Sequence, residues 1–417
     1  MNKHVKTCQL QGTIQTPSSK SYGQRALLAS ALNVENPVSL KNIGDSDDAQ
    51  NMCGIIESCG AVIHQLGNGI IEVTGVGELP LNLQVNCGES GLALRLTAFV
   101  ISAFAGEKQF NGSGSLLSRD HSFFTEYLPQ MGVLIEGKKS KLPFLIKGKL
   151  KGGRYTVDGS QSSQYISGLL MALPLLDEDS ELTVTNLLSK PYVEMTLHTL
   201  ESFGIRMEHL DYKRFIIKGK QNYKCSEYVV ENDWSSASYW LVAAAIGHDV
   251  NLRGLNLESK QADTQILQAL KLSNCHVRIK DGLLHVEGSN KIAFDFDATH
   301  CPDLFPVLVT LAAFCKGTST IKGALRLKNK ESDRGRVLLN EFKKIGLRIE
   351  LNEDEMKIYG GTEMYSAEVD SNMDHRIAMC LAITGTKIKD GLVIKNAGSV
   401  TKSYKNFWED LEKLITH

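Results

Sequence analysis

The segment TPSSKSYGQRALLASAL, which starts at Thr16, places two cations where a helix is expected to begin. Ser, Thr and Pro are common at helix starts, and RALLASAL consists of residues that favour a helix interior. Lys20 and Arg25 are unexpected there, because the N-terminus of a helix already carries partial positive charge. Cations are favourable at this position where an anion binds between them. The segment therefore predicts an anion site at a helix start.

The composition is that of a globular protein whose net charge is close to zero. The chain has 417 residues and a formal net charge of −1, so nothing favours a nucleic-acid or membrane-surface partner. Its apolar runs fall short of the ~20 residues that span a bilayer, and the start MNKHVKTCQLQG lacks the apolar core of a signal peptide. The nine cysteines show no metal-ligand spacing. We expect a cytoplasmic protein with reduced thiols and no metal.

A repeat of about seventy residues runs through the chain. Helix starts with polar or Gly-rich entries lead into small apolar residues, and helices apolar on all sides are typical of buried positions. A shorter helix ending in a turn residue also recurs, with turn residues spaced by 72, 72, 70 and 72 residues. Gly or Asn at this position predicts a left-handed helix cap. The turn residues are Gly60, Gly132, Gly204, Asn274 and Gly346.

The repeat predicts a mixed α/β fold of six units, each reading strand, buried helix, strand, amphipathic helix and then a strand or strand pair. Six buried helices do not fit one core at this length, so two domains of three units are favoured over an open array of six. We place the first domain at residues 19–230 and the second at residues 1–18 plus 231–417. The last unit lacks a final strand, which the start of the chain is expected to supply.

Several charged and hydroxyl residues at the helix starts are not required by the repeat. Each has an ordinary alternative: Ser162, Ser163 and Asp374 could act only as helix caps, and LKNKESDRGR could be a solvated helix face. Their recurrence at the same phase of the repeat favours a shared site. If the helix starts of each domain point into one cleft, these groups converge and the helix N-termini add donors for anions.

With these residues laid out, the chain resembles the 5-enolpyruvylshikimate-3-phosphate (EPSP) synthases of the enolpyruvyl transferase family. The resemblance extends from the start of the chain to YKNFWEDL and depends on motifs that are specific in combination. The motifs are SKSYGQRALLASAL, GSQSSQYISGLLMALPLL, SKPYVEMTL, KESDR, DHRIAMC and TKSY. The resemblance implies two domains, each with three βαβαββ units around buried helices, and a cleft that closes on substrate.

The resemblance also implies a reaction, in which the enolpyruvyl group of phosphoenolpyruvate passes to the 5-hydroxyl of shikimate 3-phosphate and phosphate is released. Both substrates are anions, which Arg and Lys side chains bind well. By similarity, the phosphoenolpyruvate ligands are Lys20, Gly91, Arg119, Gln164, Arg334, Arg376 and Lys402. Those of shikimate 3-phosphate are Ser21, Arg25, Ser162, Ser163, Gln164, Ser189, Asp303 and Lys330.

The same resemblance implies the proton transfers. Asp303 is the expected base for the hydroxyl, Glu331 is expected to give and remove the methyl proton, and Lys20 is expected to assist. It implies no metal or organic cofactor, and we expect a monomer whose partners are its two small-molecule substrates. One stretch departs from the family: in GESGLALR, Glu89 stands where the family commonly has Asn, and Leu92 where it has Thr.

Two alternatives remain at this point. The sister enzyme that transfers enolpyruvyl to UDP-N-acetylglucosamine shares the fold, but it usually has a reactive Cys in a mobile loop, and GSLLSRDHS contains no Cys. A non-catalytic binding homologue would explain Glu89 and Leu92. The presence of Lys20, Asp303, Glu331 and Arg376 together disfavours it.

Overall fold

A computed structural model describes residues 1–137, 140–288 and 290–416. The chain divides into two compact units, which are considered separately below. The central unit is Ser18–Glu231, and the terminal unit is Met1–Pro17 together with the chain from Asn232 onward.

The helices of the described residues are, in chain order, α1 (Lys20–Ala31), α2 (Asp47–Ser58), α3 (Gly91–Ser102), α4 (Ser122–Tyr127), α5 (Ser163–Ala172), α6 (Lys190–Ser202), α7 (Trp234–Ala245), α8 (Ile266–Leu272), α9 (Phe305–Ala313), α10 (Arg334–Lys344), α11 (His375–Gly385) and α12 (Phe407–Leu414).

The strands of the same residues are β1 (Lys3–Val5), β2 (Gln11–Gln15), β3 (Val38–Lys41), β4 (Val62–Gly67), β5 (Ile70–Thr74), β6 (Asn82–Asn86), β7 (Glu107–Asn111), β8 (Val133–Gly137), β9 (Phe144–Gly148), β10 (Arg154–Asp158), β11 (Ser180–Thr185), β12 (Met207–Leu210), β13 (Arg214–Ile217), β14 (Glu227–Val229), β15 (Asp249–Arg253), β16 (His276–Lys280), β17 (Leu283–Glu287), β18 (Asp295–Asp297), β19 (Gly317–Lys322), β20 (Arg348–Asn352), β21 (Glu355–Gly360), β22 (Ala367–Asp370) and β23 (Leu392–Lys395).

The sheets of the central unit repeat one topology. Their strand orders are β14-β3-β5-β4, β6-β7-β9-β8 and β10-β11-β13-β12. In each, the first two strands are parallel and the remaining pairs antiparallel. The buried helix connects the two parallel strands in the second and third sheets. In the first sheet the parallel partner of β3 is β14, which comes from the end of the unit.

The terminal unit uses the same pattern with strands borrowed from the start of the chain. Its orders are β16-β17-β15-β2, β18-β19-β21-β20 and β1-β23-β22. The start of the chain does complete the last repeat, but through β1, which pairs antiparallel with β23, and not through TCQLQGTIQ, the segment that the sequence indicates as the N-terminal strand. The following strand, β2, instead pairs parallel with β15 in the fourth repeat.

The alternating helices α1, α3, α5, α7, α9 and α11 form the cores of the two units, as the repeat predicts. Every residue of α3, α9 and α11 is buried. Small residues let these helices approach closely: a Cβ on Gly168 of α5 would lie 2.3 Å from the carbonyl oxygen of Arg95 in α3. The fold class predicted from the repeat is therefore confirmed.

The turn residues of the repeat also adopt the predicted conformation. Gly60, Gly132, Gly204, Asn274 and Gly346 have φ values between 63° and 107°. These left-handed residues end one helix and direct the chain into the following hairpin. Within the described residues no helix is both long and apolar enough to cross a membrane.

Candidate functional site

The helix starts of both units are capped by the polar residues that the sequence places there. Ser19, Ser90 and Ser162 accept hydrogen bonds from backbone N–H groups at the starts of α1, α3 and α5. Asp233 and Asp374 do the same for α7 and α11. Ser162 and Asp374 therefore do act as helix caps, as the alternative interpretation of these two residues expected. Asp374 also accepts a hydrogen bond from Arg334.

In the central unit, the two cations of the opening segment have separate partners. Lys20 is the first residue of α1, and its Nζ lies 3.0 Å from Oδ2 of Asp48, whose side chain is 6% exposed. Arg25 is fully buried one turn later. Its guanidinium donates to Thr196 Oγ1 at 2.8 Å and to the carbonyl oxygens of Ser21 at 2.8 Å and Tyr192 at 3.1 Å.

Burial lowers the pKa of Arg25 to about 10, which still leaves it charged at neutral pH. Desolvation of an ion this deep is offset by the hydrogen bonds around it. Ser21 precedes Arg25 by one turn of α1, and its carbonyl oxygen already accepts a hydrogen bond from this guanidinium. Arg25 is therefore held rigidly by its own unit.

A second cationic group forms around the start of α3. Arg95 Nη1 donates to Gln164 Oε1 at 2.6 Å, and the Arg95 guanidinium lies 5.1 Å from the centre of the Tyr165 ring. Arg119 follows a 3₁₀ turn, Gly114–Ser118, and its Nη2 donates to Ser115 Oγ at 3.0 Å.

Gly91 is where these two arginines meet. A Cβ on Gly91 would lie 2.8 Å from Arg119 Nη1 and 3.1 Å from Arg95 Nη1. The absence of a side chain at the first residue of α3 thus lets both guanidinium groups reach the N-terminus of that helix. Here Gly91, Arg119 and Gln164, all predicted ligands of one anion, share a neighbourhood.

The remaining central candidates line the starts of α5 and α6. Ser162 caps α5, and Ser163 is its buried first residue. Ser189 precedes α6 with φ of 57°, a left-handed conformation that is uncommon for Ser. Its side chain is not the cap of α6, although it is buried.

The terminal unit gathers its candidates around one carboxylate. Asp303, on the 3₁₀ turn Pro302–Leu304, accepts hydrogen bonds from Lys330 Nζ at 3.2 Å, Arg334 Nη1 at 2.8 Å and Arg376 Nη2 at 2.9 Å. Its side chain is 17% exposed, so these contacts are largely shielded from water. The structure brings together the predicted base and three predicted substrate ligands.

These cations determine the protonation of Asp303. Burial alone would raise the pKa of its carboxyl, but Arg376, Lys330 and Arg334 outweigh burial and hold that pKa well below its usual range. Burial lowers the pKa of Lys330, against the opposing effect of Asp303. Asp303 is consequently a weak base while all three cations contact it.

Arg334 organises the cluster. Its side chain is 1% exposed and contacts three carboxylates, Asp303, Glu331 at 2.5 Å and Asp374 at 2.8 Å. Asp374, for which helix capping was the ordinary alternative, fixes the Arg334 guanidinium as well as capping α11. Lys402 ends a 3₁₀ turn, Ala397–Lys402, and is mostly buried.

Comparison with known proteins gives the family of the chain. Residues 5–411 match the family EPSP synthase (3-phosphoshikimate 1-carboxyvinyltransferase). The chain belongs to the EPSP synthase family. It is thereby an enzyme, a transferase of the shikimate pathway, and the resemblance seen in the motifs is confirmed.

Individual relatives cover nearly the whole chain. A 3-phosphoshikimate 1-carboxyvinyltransferase from Clostridium kluyveri is 36% identical over 412 residues, which are 98% of this chain and 96% of the relative. One from Clostridium acetobutylicum is 35% identical over 415 residues, with coverage of 98% and 96%.

Solved structures agree in fold. An EPSP synthase from Acinetobacter baumannii superposes with a TM-score of 0.82 at 25% identity, covering 99% of this chain and 98% of that one. The enolpyruvyl transferase NikO from Streptomyces tendae has a TM-score of 0.78 at 16% identity, covering 99% of this chain and 96% of its own, and supports the fold alone.

The sequence analysis missed two buried carboxylates, of which Asp48 contacts Lys20. Asp48, in DSDDAQ, and Asp263, in QADTQ, lie in ordinary polar segments with no repeat or motif to single them out. In the described part of the chain, no group of three His, Cys, Asp or Glu side chains could hold a metal ion. A cavity of about 360 Å³ in the central unit is lined by the C-terminal residues of α1 and α3, at the opposite ends from the helix starts.

Proposed function

We propose that the protein transfers the 1-carboxyvinyl group of phosphoenolpyruvate to the 5-hydroxyl of shikimate 3-phosphate. The hydroxyl oxygen forms a bond to C2 of phosphoenolpyruvate while C3 gains a proton. The resulting intermediate then loses that proton and phosphate, which restores the double bond. Membership of the family supports this reaction. The observation that carries the residue assignment is the contact of Asp303 with Lys330, Arg334 and Arg376.

The substrate ligands fall into two groups. In the central unit we assign the hydroxyl and cationic groups at helix starts to the anionic ends of the substrates, because N-terminal backbone N–H groups reinforce them. Ser21, Arg25, Ser162, Ser163, Gln164 and Ser189 are assigned to shikimate 3-phosphate, and Lys20, Gly91, Arg119 and Gln164 to phosphoenolpyruvate. In the terminal unit, Arg334, Arg376 and Lys402 are assigned to phosphoenolpyruvate, and Asp303 and Lys330 to the shikimate ring hydroxyls.

The geometry suggests how substrate turns Asp303 into a base. In the free protein, Arg334 and Arg376 contact the Asp303 carboxylate, so an arriving anion competes with that carboxylate for them. Each contact transferred to the substrate removes a stabilising charge from ionised Asp303 and raises its pKa towards the value of an effective base. Binding of the anion and activation of Asp303 are then one event.

Glu331 is assigned the role of giving the methyl proton to C3 of phosphoenolpyruvate and removing it again. Its Oε2 accepts a hydrogen bond from Arg334 Nη2 at 2.5 Å. A substrate anion that competes for Arg334 therefore competes with Glu331 as well as with Asp303. Lys20, whose present partner is Asp48, is the proposed assisting cation. The monomeric state and the cytoplasmic location remain predictions of the sequence.

The test is release of phosphate from phosphoenolpyruvate by the purified full chain. Release that requires shikimate 3-phosphate, with the enolpyruvyl ether identified by mass spectrometry, is the expected result. Release that requires UDP-N-acetylglucosamine instead would show the sister activity. Binding of both substrates without phosphate release would show a non-catalytic homologue, and either outcome would overturn the proposal.

A further inference from the structure

A buried carboxyl that the proposed reaction does not use lies next to the Asp303 cluster. Asp263 is in the 3₁₀ turn Ala262–Gln265, and only 2% of the residue is exposed. Ser235 Oγ donates a hydrogen bond to its Oδ2. Its Oδ1 is buried and has no hydrogen-bond partner among the described residues. An ionised carboxylate with an unsatisfied buried oxygen is costly, so this group requires an explanation.

The turns that carry Asp263 and Asp303 pack against the same helix, α7. The first turn of α7 also holds a third carboxyl, since Asp233 accepts from Ser236 N at 3.2 Å and Ser236 Oγ at 2.6 Å. Arg376 is the cation that acts on both Asp263 and Asp303. Asp233 and Asp263 therefore lie at the start of α7, and Arg376 acts on the charges of both Asp263 and Asp303.

We propose that Asp263 is a positioning residue for the reaction: it gains or loses a proton according to the charge on Asp303, and so controls how readily Asp303 accepts the proton of the substrate hydroxyl. The role of Asp303 in this statement rests on the proposed function. The electrostatic coupling between Asp263 and Asp303 does not depend on the proposed function.

The electrostatics of the site support this coupling. Burial, and then the charge of Asp303, raise the pKa of Asp263 to about 7, while Arg376 and the Ser235 hydroxyl oppose the rise and Asp233 adds to it. Cys301 is a further titratable neighbour; burial and then Asp263 raise the pKa of its thiol, so it stays neutral. With a pKa of about 7, Asp263 changes charge near neutral pH.

Ionisation of Asp263 has a defined effect on Asp303. A negative charge on Asp263 opposes the effect of Lys330, Arg334 and Arg376, so it raises the proton affinity of the Asp303 carboxylate. As pH rises through about 7, Asp303 becomes a better base. Asp263→Asn keeps the shape and can still accept from Ser235, but it removes this charge.

The coupling can be tested in the free protein by infrared titration of protonated carboxyl groups. We expect a band that disappears with a midpoint near pH 7 in the wild type and is missing in Asp263→Asn. Ser235→Ala, which removes the stabilising donor, should move the midpoint upward, and Asp303→Asn should move it downward. The exposed Asp249→Asn is the matched control and should leave the band unchanged. A band that persists in Asp263→Asn, or a midpoint that Asp303→Asn does not move, would overturn the proposal.

The catalytic part is tested by the pH dependence of turnover. Between about pH 6 and about pH 8, the wild type should gain activity that Asp263→Asn does not gain, a difference of about threefold to tenfold. If the wild type and Asp263→Asn are both folded and their turnover has the same pH dependence, the proposal is overturned, even where the infrared titration supports the coupling. A wild type without any turnover would refute the proposed function instead, and the infrared titration would still decide the coupling.

Discussion

Replacing Asp303 by Asn should separate substrate binding from turnover. The change keeps the size of the side chain but removes the charge that contacts Lys330, Arg334 and Arg376 at 3.2, 2.8 and 2.9 Å. Loss of a general base lowers rate by roughly 10²- to 10⁴-fold. Lys330, Arg334 and Arg376 lose the Asp303 carboxylate as a partner, so anionic phosphoenolpyruvate should bind more tightly. We therefore expect kcat to fall by at least about 100-fold while KM for phosphoenolpyruvate also falls.

The same substitution has a stability signature with a definite sign. The folded pKa of Asp303 is depressed, so its contribution to stability is present above the unfolded value of about 3.9 and is lost as pH falls through the folded value. Breaking a buried ion pair by removing one partner costs roughly 3–5 kcal/mol. Arg334 keeps Glu331 and Asp374, so we expect the lower end of that range near pH 7.

The assays are steady-state phosphate release, calorimetric titration with phosphoenolpyruvate, and chemical denaturation at several pH values. Asp249→Asn, an exposed aspartate of the same unit, is the control and should match the wild type in all three. A variant that turns over within a few-fold of the wild type would show that Asp303 is not the base. An unchanged KM would show that its carboxylate does not compete with substrate for the cations.

Further substitutions test the central unit. Gly91→Ala places a Cβ 2.8 Å from Arg119 Nη1 and should displace that guanidinium, raising KM for phosphoenolpyruvate with little loss of stability; an unchanged KM would contradict this. A Cβ on Gly114 would lie 2.2 Å from Glu89 Oε1, so Glu89 packs against the turn that leads to Arg119. Glu89→Asn should loosen that turn and lower kcat, whereas tighter substrate binding at full turnover would refute the reasoning. Lys108→Met should lower the free energy of unfolding by about 2–4 kcal/mol in denaturant titrations without changing kcat. A smaller loss would show that water replaces the ammonium, which now donates to the carbonyls of Phe104, Gly106 and Gly148.

Local features of the sequence were sufficient to predict the repeat. The left-handed caps, from Gly60 to Gly346, could be predicted because Gly and Asn adopt positive φ readily. This preference is local and does not depend on residues distant in sequence. The buried helices follow from composition, because a helix that is apolar on all sides has to be covered. The predicted cations at Lys330, Arg334 and Arg376 could be selected because their motifs match the family.

Strand completion and charge compensation were decided by tertiary structure. β14 and β1 supply missing strands to sheets whose other members are far away in sequence, and no local pattern specifies such a partner. Lys20 and Arg25 were interpreted together as cations around one anion. The fold instead places Asp48 against Lys20 and buries Arg25 against Thr196.

The sequence by itself determined the repeated unit, the helix starts and the family, because these depend on periodicity and on motifs within single segments. Only the tertiary structure determined that Asp303 is held by three cations and that Asp263 lies buried beside it. The reason is physical: the pKa of a carboxyl depends on its burial and on charges within several ångströms. Those neighbours come from the Ala262–Gln265 turn, α10 and α11, and only the packing of these elements brings their charges together.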